Sequence, residues 1–427
     1  MTPGDLASAR WFRAKHRPIA SVSELDRAAL GGRASLRVLE VAYADGDDRE
    51  RYLVPAVGDR EPRDGEGAWT AMLAAIADDA ELRGGLGTFA CGATPELERL
   101  VPSAASSASA LSERRLTVEQ SNTSVVLGER LILKLYRLLE PGENPDLEVG
   151  TFLTDAGFTE TPPVAGAIHW CPDGAEPSAA AMVQALVPAT GDGWRAMLDA
   201  LTRDPDVAVA QAAAIGALTA ALHRALASRP DHPAFPSRAA TVAETASWRA
   251  SAERQLAQAV GAVGGEAHAR LVALAPSVRE RFADSFGAAS GDARVSRIHG
   301  DYHLGQLLAR PGGGYSVIDF EGEPARPLTE RRAPSSPLRD VAGLLRSLDY
   351  AARTAAAGIG SFDADGWLAE ARAAFLAAYG GIDARELGLL DAFELEKACY
   401  EVRYEASNRP GWLGLPLAAV ERLVAVG

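Results

Sequence analysis

Hydrophobic and polar positions alternate with period two over Leu36-Arg37-Val38-Leu39-Glu40-Val41-Ala42-Tyr43. A charged turn, Asp45-Gly46-Asp47-Asp48, and a second short apolar run, Arg51 to Pro55, follow. This pattern predicts two strands of one hairpin. Thr70 to Asp79 reads as a short helix that stops near Gly84-Gly85, and the Ser/Ala-rich residues 102 to 112 read as a connection. A second set of strands begins near Leu116. Thr117-Val118-Glu119-Gln120 leads into the polar turn Ser121-Asn122-Thr123-Ser124. Val125-Val126-Leu127, a Gly128-Glu129 turn and Leu131-Ile132-Leu133-Lys134-Leu135-Tyr136 complete a hairpin whose last strand carries Lys134. Asn144-Pro145-Asp146 signals a helix start, with Glu148 in the first turns. Residues 180 to 187 form one more strand. From Asp192 the period is helical, except for a loop and hairpin at about 296 to 322. The chain therefore divides into an N-terminal module (1–95), a strand-rich lobe (96–190) and a mostly helical lobe (191–427). The fold class is α+β.

Of the 427 residues, 47% are hydrophobic, which is a globular composition with ample core. The net charge of −14 comes without a basic block, which argues against a nucleic-acid groove or an anionic membrane surface. Cys91, Cys171 and Cys399 are far apart and follow no metal spacing, as expected in a reducing cytosol. No apolar signal core follows Met1-Thr-Pro-Gly-Asp. The longest Ala-rich run, Ala208 to Ala221, contains Gln211 and leads to His223-Arg224, so it reads as a buried helix of a cytoplasmic protein.

The candidate chemistry lies in Ile298-His299-Gly300-Asp301-Tyr302-His303-Leu304-Gly305-Gln306 and Val317-Ile318-Asp319-Phe320-Glu321. Phosphoryl transfer needs a carboxylate that orients the attacking hydroxyl and accepts its proton. It also needs oxygen ligands that hold Mg²⁺ on nucleotide phosphates. Asp301 suits the first role; Gln306 and Asp319 suit the second. Lys134, inside an apolar strand, is expected to point at something negative, with Glu148 as its counter-charge and the phosphates of ATP as its ligand. The Ser121, Asn122, Thr123 and Ser124 turn offers hydroxyls and N–H groups that can cover phosphates, although it lacks glycines and the chain has no Gly-x-x-x-x-Gly-Lys-Ser/Thr loop. His299 and His303 are four apart, but no Glu follows the first, so no zinc is assigned; His299 is placed in the catalytic set as a brace for the loop of Asp301.

On a helical projection of Glu394 to Asn408, Leu395, Ala398, Cys399, Val402 and Ala406 form one apolar stripe. Lys397, Tyr400, Glu401, Tyr404, Glu405 and Asn408 fall on another arc together with Glu394. A solvated face explains that arc, and so does a sugar site, where rings cover C–H faces and polar ends take hydroxyls.

A β-rich small lobe before a helical large lobe, with these motifs in this order, resembles the actinobacterial maltokinases of the aminoglycoside-phosphotransferase and eukaryotic-like kinase superfamily. The similarity is densest in Glu119 to Val126, Leu131 to Tyr136, Asn144 to Gly150, His299 to Gln306, Asp319 to Pro324, Arg331 to Tyr350 and Lys397 to Pro410. Ala9-Arg10-Trp11-Phe12 resembles that family's N-terminal cap. The resemblance implies a bilobal protein-kinase-like fold with an additional cap module and a mostly helical C-lobe. It implies ATP and Mg²⁺ as cofactors, with Asp301 as base, Gln306 and Asp319 on the metal, and Lys134 with Glu148 on the phosphates. Adenine would meet backbone between Gln184 and Val187, Leu186 included. Tyr400, Glu401, Tyr404, Asn408 and Arg409 would lie by the acceptor sugar, and Asp340 would brace the catalytic loop. The reaction implied is phosphorylation of maltose to maltose 1-phosphate, with a link to trehalose, maltose and α-glucan enzymes. Glucosamine and aminoglycosides stay open as acceptors, as does a non-catalytic binding role.

Overall fold

The computed structural model describes residues 2–116, 121–289, 291–324, 326–358, 360 and 362–425. The expected strand at 117–120, with Glu119 and Gln120, lies outside them. The chain forms two compact units, Met1–Pro188 and Ala189–Gly427.

The first unit holds two antiparallel sheets. β1 (Ile19–Gly31), β2 (Ala34–Tyr43) and β3 (Arg49–Val57) form the first, in that order. The second has seven strands: β4 (Glu81–Arg83), β5 (Gly87–Ala93), β6 (Glu113–Arg115), β7 (Thr123–Leu127), β8 (Leu131–Leu135), β9 (Val164–Pro172) and β10 (Ser178–Ala185). Their spatial order is β4-β5-β9-β10-β8-β7-β6. Chain order is broken because β5 pairs with β9, far along the sequence, through Phe89 and Trp170. The sheet thus crosses residue 95, where a module boundary was expected. Leu36, Leu53, Trp69, Phe89, Leu133 and Trp170 belong to one buried cluster that spans both sheets and the Ala68–Ala77 helix. Asp26 of β1 reinforces it: its buried carboxylate accepts from Trp170 Nε1 at 2.8 Å and from Gly85 N–H at 2.7 Å. A buried carboxylate is tolerated because it is fully engaged by donors.

The second unit is mostly helical. Its long helices include Pro205–Leu226, Val242–Ala262, Leu338–Gly358 and Ala384–Asn408. A small sheet of Gly191–Asp192, Leu307–Ala309 and Tyr315–Val317 frames the acidic loops. Pro205–Leu226 is long and apolar enough to cross a membrane by length and composition. In this unit it packs tightly against another helix: a Cβ on Gly216 would come within 2.2 Å of Phe375 O. Its buried polar residue near the end, His223, is hydrogen-bonded inside the unit. The Ala384–Asn408 helix starts at an Asp383–Glu386 capping box, ten residues before the stretch read from the sequence. Leu395, Ala398, Cys399 and Val402 are fully buried, as the stripe predicts.

Candidate active site

The loop that carries Asp301 is held by one carboxylate. Asp340, 1% exposed in the first turn of Leu338–Gly358, accepts from His299 N–H at 2.8 Å and Gly300 N–H at 2.9 Å. His223 Nε2 lies 3.1 Å from the same carboxylate, and His223 Nδ1 lies 3.0 Å from Tyr379 Oη. Burial pushes the Asp340 carboxyl up, but the His223 bond, the nearby imidazoles and the Gly300 N–H outweigh it and hold the group below the usual carboxylate range. Close approach is possible because Gly343 of that helix has no side chain; a Cβ there would meet Tyr302 O at 2.4 Å. Gly300 takes φ +85°, a left-handed conformation that suits glycine, and so turns the chain into Asp301.

His299 is 1% exposed and both ring nitrogens face backbone. Nε2 lies 3.0 Å from Ile318 O, and Nδ1 accepts from Asp301 N–H at 3.4 Å. This arrangement fixes the Nε2–H tautomer and leaves no lone pair for a metal. His299 thus ties the Asp301 loop to the Asp319 loop, and its ring makes no contact with the Asp301 carboxylate among the hydrogen bonds of the described residues. His303 Nδ1 accepts from Gly305 N–H at 3.0 Å, capping the Leu304–Gln306 turn, and leaves Nε2 facing Asp301.

Asp301 is the acid that opens outward, with its side chain 23% exposed. Lys397 Nζ lies 3.5 Å from Oδ1 and His303 Nε2 4.0 Å from Oδ2. Burial alone pulls the Lys397 ammonium down, but Asp301, Glu323 and Glu401 raise it above its ordinary value, so it stays charged. The sequence reading placed Lys397 on the sugar arc without seeing that it reaches the base.

Gln306 Nε2 donates to Asp319 Oδ2 at 3.2 Å, and Ile318 N–H donates to Gln306 O at 3.0 Å. Asp319 adopts φ +67°, rare for a residue with a side chain. Ligand oxygens of Asp319 and Glu321 lie within 4.8 Å of one another. An amide oxygen and carboxylates gathered this way are hard donors of the type Mg²⁺ takes.

In the first unit, Lys134 Nζ forms a 2.8 Å ion pair with Asp146, both nearly buried. The expected counter-charge was Glu148. The carboxylate seen on the ammonium is instead Asp146, because the helix begins at Pro145 and puts residue 146 in its buried first turn. Glu148 lies two residues on and is partly exposed. Ser124 stands opposite Lys134 in the β7–β8 register, so the polar turn of Ser121 and Asn122 borders the lysine strand. Thr123 and Ser124 are buried. At the end of β10, Gln184 is partly buried. Ala185 and Leu186 N–H groups are taken by Pro163 O and Arg130 O, whereas Val187 N–H has no partner among the described residues.

A cavity of about 370 Å³ opens beside Asp301 in the second unit. Lys397, Tyr400 and Glu323 line it next to Asp301, and Trp248 and Ser251 line it from the Val242–Ala262 helix. Of the arc read from the sequence, Tyr400 is the aromatic that reaches it. Glu401 is drawn onto Arg346 at 2.7 Å, and the fully buried Glu405 onto Arg409 at 2.6 Å and Tyr350 Oη at 3.3 Å. Tyr404 is 43% exposed and stacks on Tyr400, Asn408 Nδ2 donates to Tyr404 O at 2.9 Å, and the Arg409 guanidinium lies 5.0 Å from the Trp412 ring. None of these five lines the cavity. A projection of one helix cannot show that Arg346, on the Leu338–Gly358 helix, claims Glu401.

A carboxylate on a braced loop, an amide–carboxylate pair on the following loop and a buried strand lysine are the kinds of group that kinase-like phosphotransferases use. The chain belongs to the phosphotransferase enzyme family, whose model matches residues 112–390. Residues 6–84 match the maltokinase N-terminal cap domain. The chain is 32% identical over 393 residues to a glucosamine kinase of Streptacidiphilus jiangxiensis, covering 86% of this chain and 85% of that protein. It is 29% identical over 430 residues to a glucosamine kinase of Mycolicibacterium smegmatis (strain ATCC 700084 / mc(2)155), covering 95% and 99%. A solved glucosamine kinase in complex with glucosamine, ADP and inorganic phosphate is 29% identical, with a TM-score of 0.75 over 99% of this chain and 100% of that one. A second crystal form, 28% identical, gives 0.77 over 99% of both. The fold is thus the kinase-like one with an N-terminal cap.

Proposed function

We propose that this chain is an ATP-dependent kinase of glucosamine. The observation that carries the reading is the position of Asp301: a braced carboxylate at the wall of a sugar-sized cavity, in a chain alignable end to end with glucosamine kinases. An acceptor hydroxyl in the cavity hydrogen-bonds to Asp301. Its oxygen forms the new bond to the γ-phosphorus as the bond to the ADP oxygen breaks, and the carboxylate takes the proton. Lys134, held by Asp146, steadies the nucleotide phosphates. Asp319 and Gln306 would hold Mg²⁺, which neutralises phosphate charge when bound. Val187 N–H, just past the end of β10, is the donor offered to adenine. Tyr400 gives an aromatic wall for the sugar's C–H face.

Maltose is the second reading, favoured by the cap-domain match. That match discriminates little, because the glucosamine kinases align over almost their whole lengths, cap region included. Coupled detection of ADP, with ATP and either glucosamine or maltose, tests the choice. We expect kcat/KM for glucosamine to exceed that for maltose by at least about a hundredfold, well within the roughly 10⁴–10⁵-fold that a site built to bond one polar group achieves. Turnover of maltose with none of glucosamine would reverse the assignment and restore the α-glucan link.

A further inference from the structure

One fully buried guanidinium joins the N-terminal segment to the lysine strand. Arg137 follows β8 and is 0% exposed. Beyond β8 the chain runs against β3: Leu53 N–H donates to Arg137 O at 2.8 Å, and Leu139 N–H donates to Arg51 O at 2.8 Å. The strand that carries Lys134 therefore continues directly onto the cap sheet.

The guanidinium reaches in two directions. Toward the cap, Nη2 lies 2.7 Å from Glu61 Oε1, Nη1 donates to Leu53 O at 3.2 Å, and Cζ lies 4.5 Å from the Trp11 ring centroid. Trp11 Nε1 in turn donates to Glu61 at 3.4 Å. Toward the nucleotide side, Nε donates to Thr123 Oγ1 at 2.8 Å. Thr123 opens β7 immediately after Ser121 and Asn122. A buried charge persists only where its partners are fixed, so each end of this chain of contacts restrains the other.

We propose that the cap positions the Ser121–Ser124 turn for a nucleoside triphosphate through Glu61, Arg137 and Thr123. This rests on the reading of that turn as phosphate cover. Glu61 and Arg137 are positioning residues: both act through Thr123. Without Glu61 the guanidinium loses its anionic anchor, and Thr123 loses a fixed donor. The turn then samples more conformations, and nucleotide binding must supply the ordering.

The test uses the full chain and Glu61→Gln, which alters a side chain 22% exposed and spares the lysine strand. We expect KM for ATP to rise about three- to tenfold, the net scale of one ordinary hydrogen bond, with acceptor KM unchanged. ADP affinity by calorimetry, without acceptor, should fall by the same factor, and hydrogen exchange at residues 121–127 should quicken. Arg137→Lys should do more, since an ammonium cannot span both sides; if it does not fold, Glu61→Gln decides. A folded Glu61→Gln with ATP KM and ADP affinity within twofold of wild type overturns the proposal, as does a parallel rise in both KM values. A wild-type chain that binds no ADP would instead overturn the nucleotide reading itself.

Discussion

Asp340 and Asp301 are coupled through two peptide groups. The Asp340 carboxylate holds the N–H groups of His299 and Gly300, and the next residue is Asp301, the proposed base. Replacing the base itself is the first check. Asp301→Asn keeps the shape but cannot take the proton. Turnover should fall by about 10²–10⁴-fold while ADP affinity holds. Steady-state kinetics and calorimetry measure both, and turnover within twofold of wild type would remove Asp301 from the role.

Asp340→Asn acts one step away. Its amide keeps one acceptor oxygen but turns an NH₂ toward groups that donate. With the residue 1% exposed, a lost partner for buried N–H groups costs about 1–3 kcal/mol. We expect a lower melting temperature and at least about a tenfold loss of kcat with acceptor KM little changed. The pH dependence adds a sign. The folded Asp340 carboxyl lies below its ordinary value, so its charged form adds stability above about pH 4, and that contribution fades as pH falls through the folded value. The variant lacks it. Its stability deficit against wild type should therefore shrink as pH falls below about 4 in thermal melts, and a deficit that grows toward acid would contradict the assignment.

Lys397 offers a test on the base. Its ammonium lies 3.5 Å from Asp301 Oδ1, and its own raised proton affinity keeps it charged at working pH. Lys397→Met removes that cation and its contact with the carboxylate. If Lys397 orients Asp301, kcat should fall by about tenfold with acceptor KM little changed. A rise in acceptor KM at unchanged kcat would make Lys397 a contact to substrate alone.

Which parts could be read in advance follows from where the interactions lie. Asp301, Gln306 and Asp319 share one short loop-and-hairpin segment, so order and spacing alone single them out as candidates, and Gln306 does reach Asp319. The strands β2, β3, β7 and β8 alternate or run apolar. By contrast β1 was not foreseen: in it, Asp26 and Ala28 are the buried residues, and the rest shows little hydrophobic period. Asp146 was passed over for Glu148 because the ion pair depends on where the helix turns against β8. Glu401 and Glu405 looked like ligand groups until Arg346 and Tyr350 were brought beside them by a different helix. Local signals reached as far as a loop or a helix face, and choices among several carboxylates required tertiary neighbours.

That last difference gives a prediction that separates two tyrosines one turn apart. Tyr400 lines the cavity, and its ring lies 4.8 Å from Lys397 Nζ. Tyr404 stacks on its outer side with ring centroids 6.3 Å apart and remains 43% exposed. If the cavity holds the acceptor, Tyr400→Ala strips away a wall that touches sugar in both ground and transition states. Acceptor KM should rise roughly tenfold or more, with ATP KM unchanged. Tyr404→Ala removes a support for that wall, and its effect should be smaller, within about threefold, because Tyr400 is still packed on the helix. Tyr400→Phe keeps the ring and should stay near wild type unless the hydroxyl itself bonds the sugar. Acceptor saturation curves for the three variants at fixed ATP measure the order. A larger effect at Tyr404 than at Tyr400 would move the acceptor out of the cavity and onto the exposed arc.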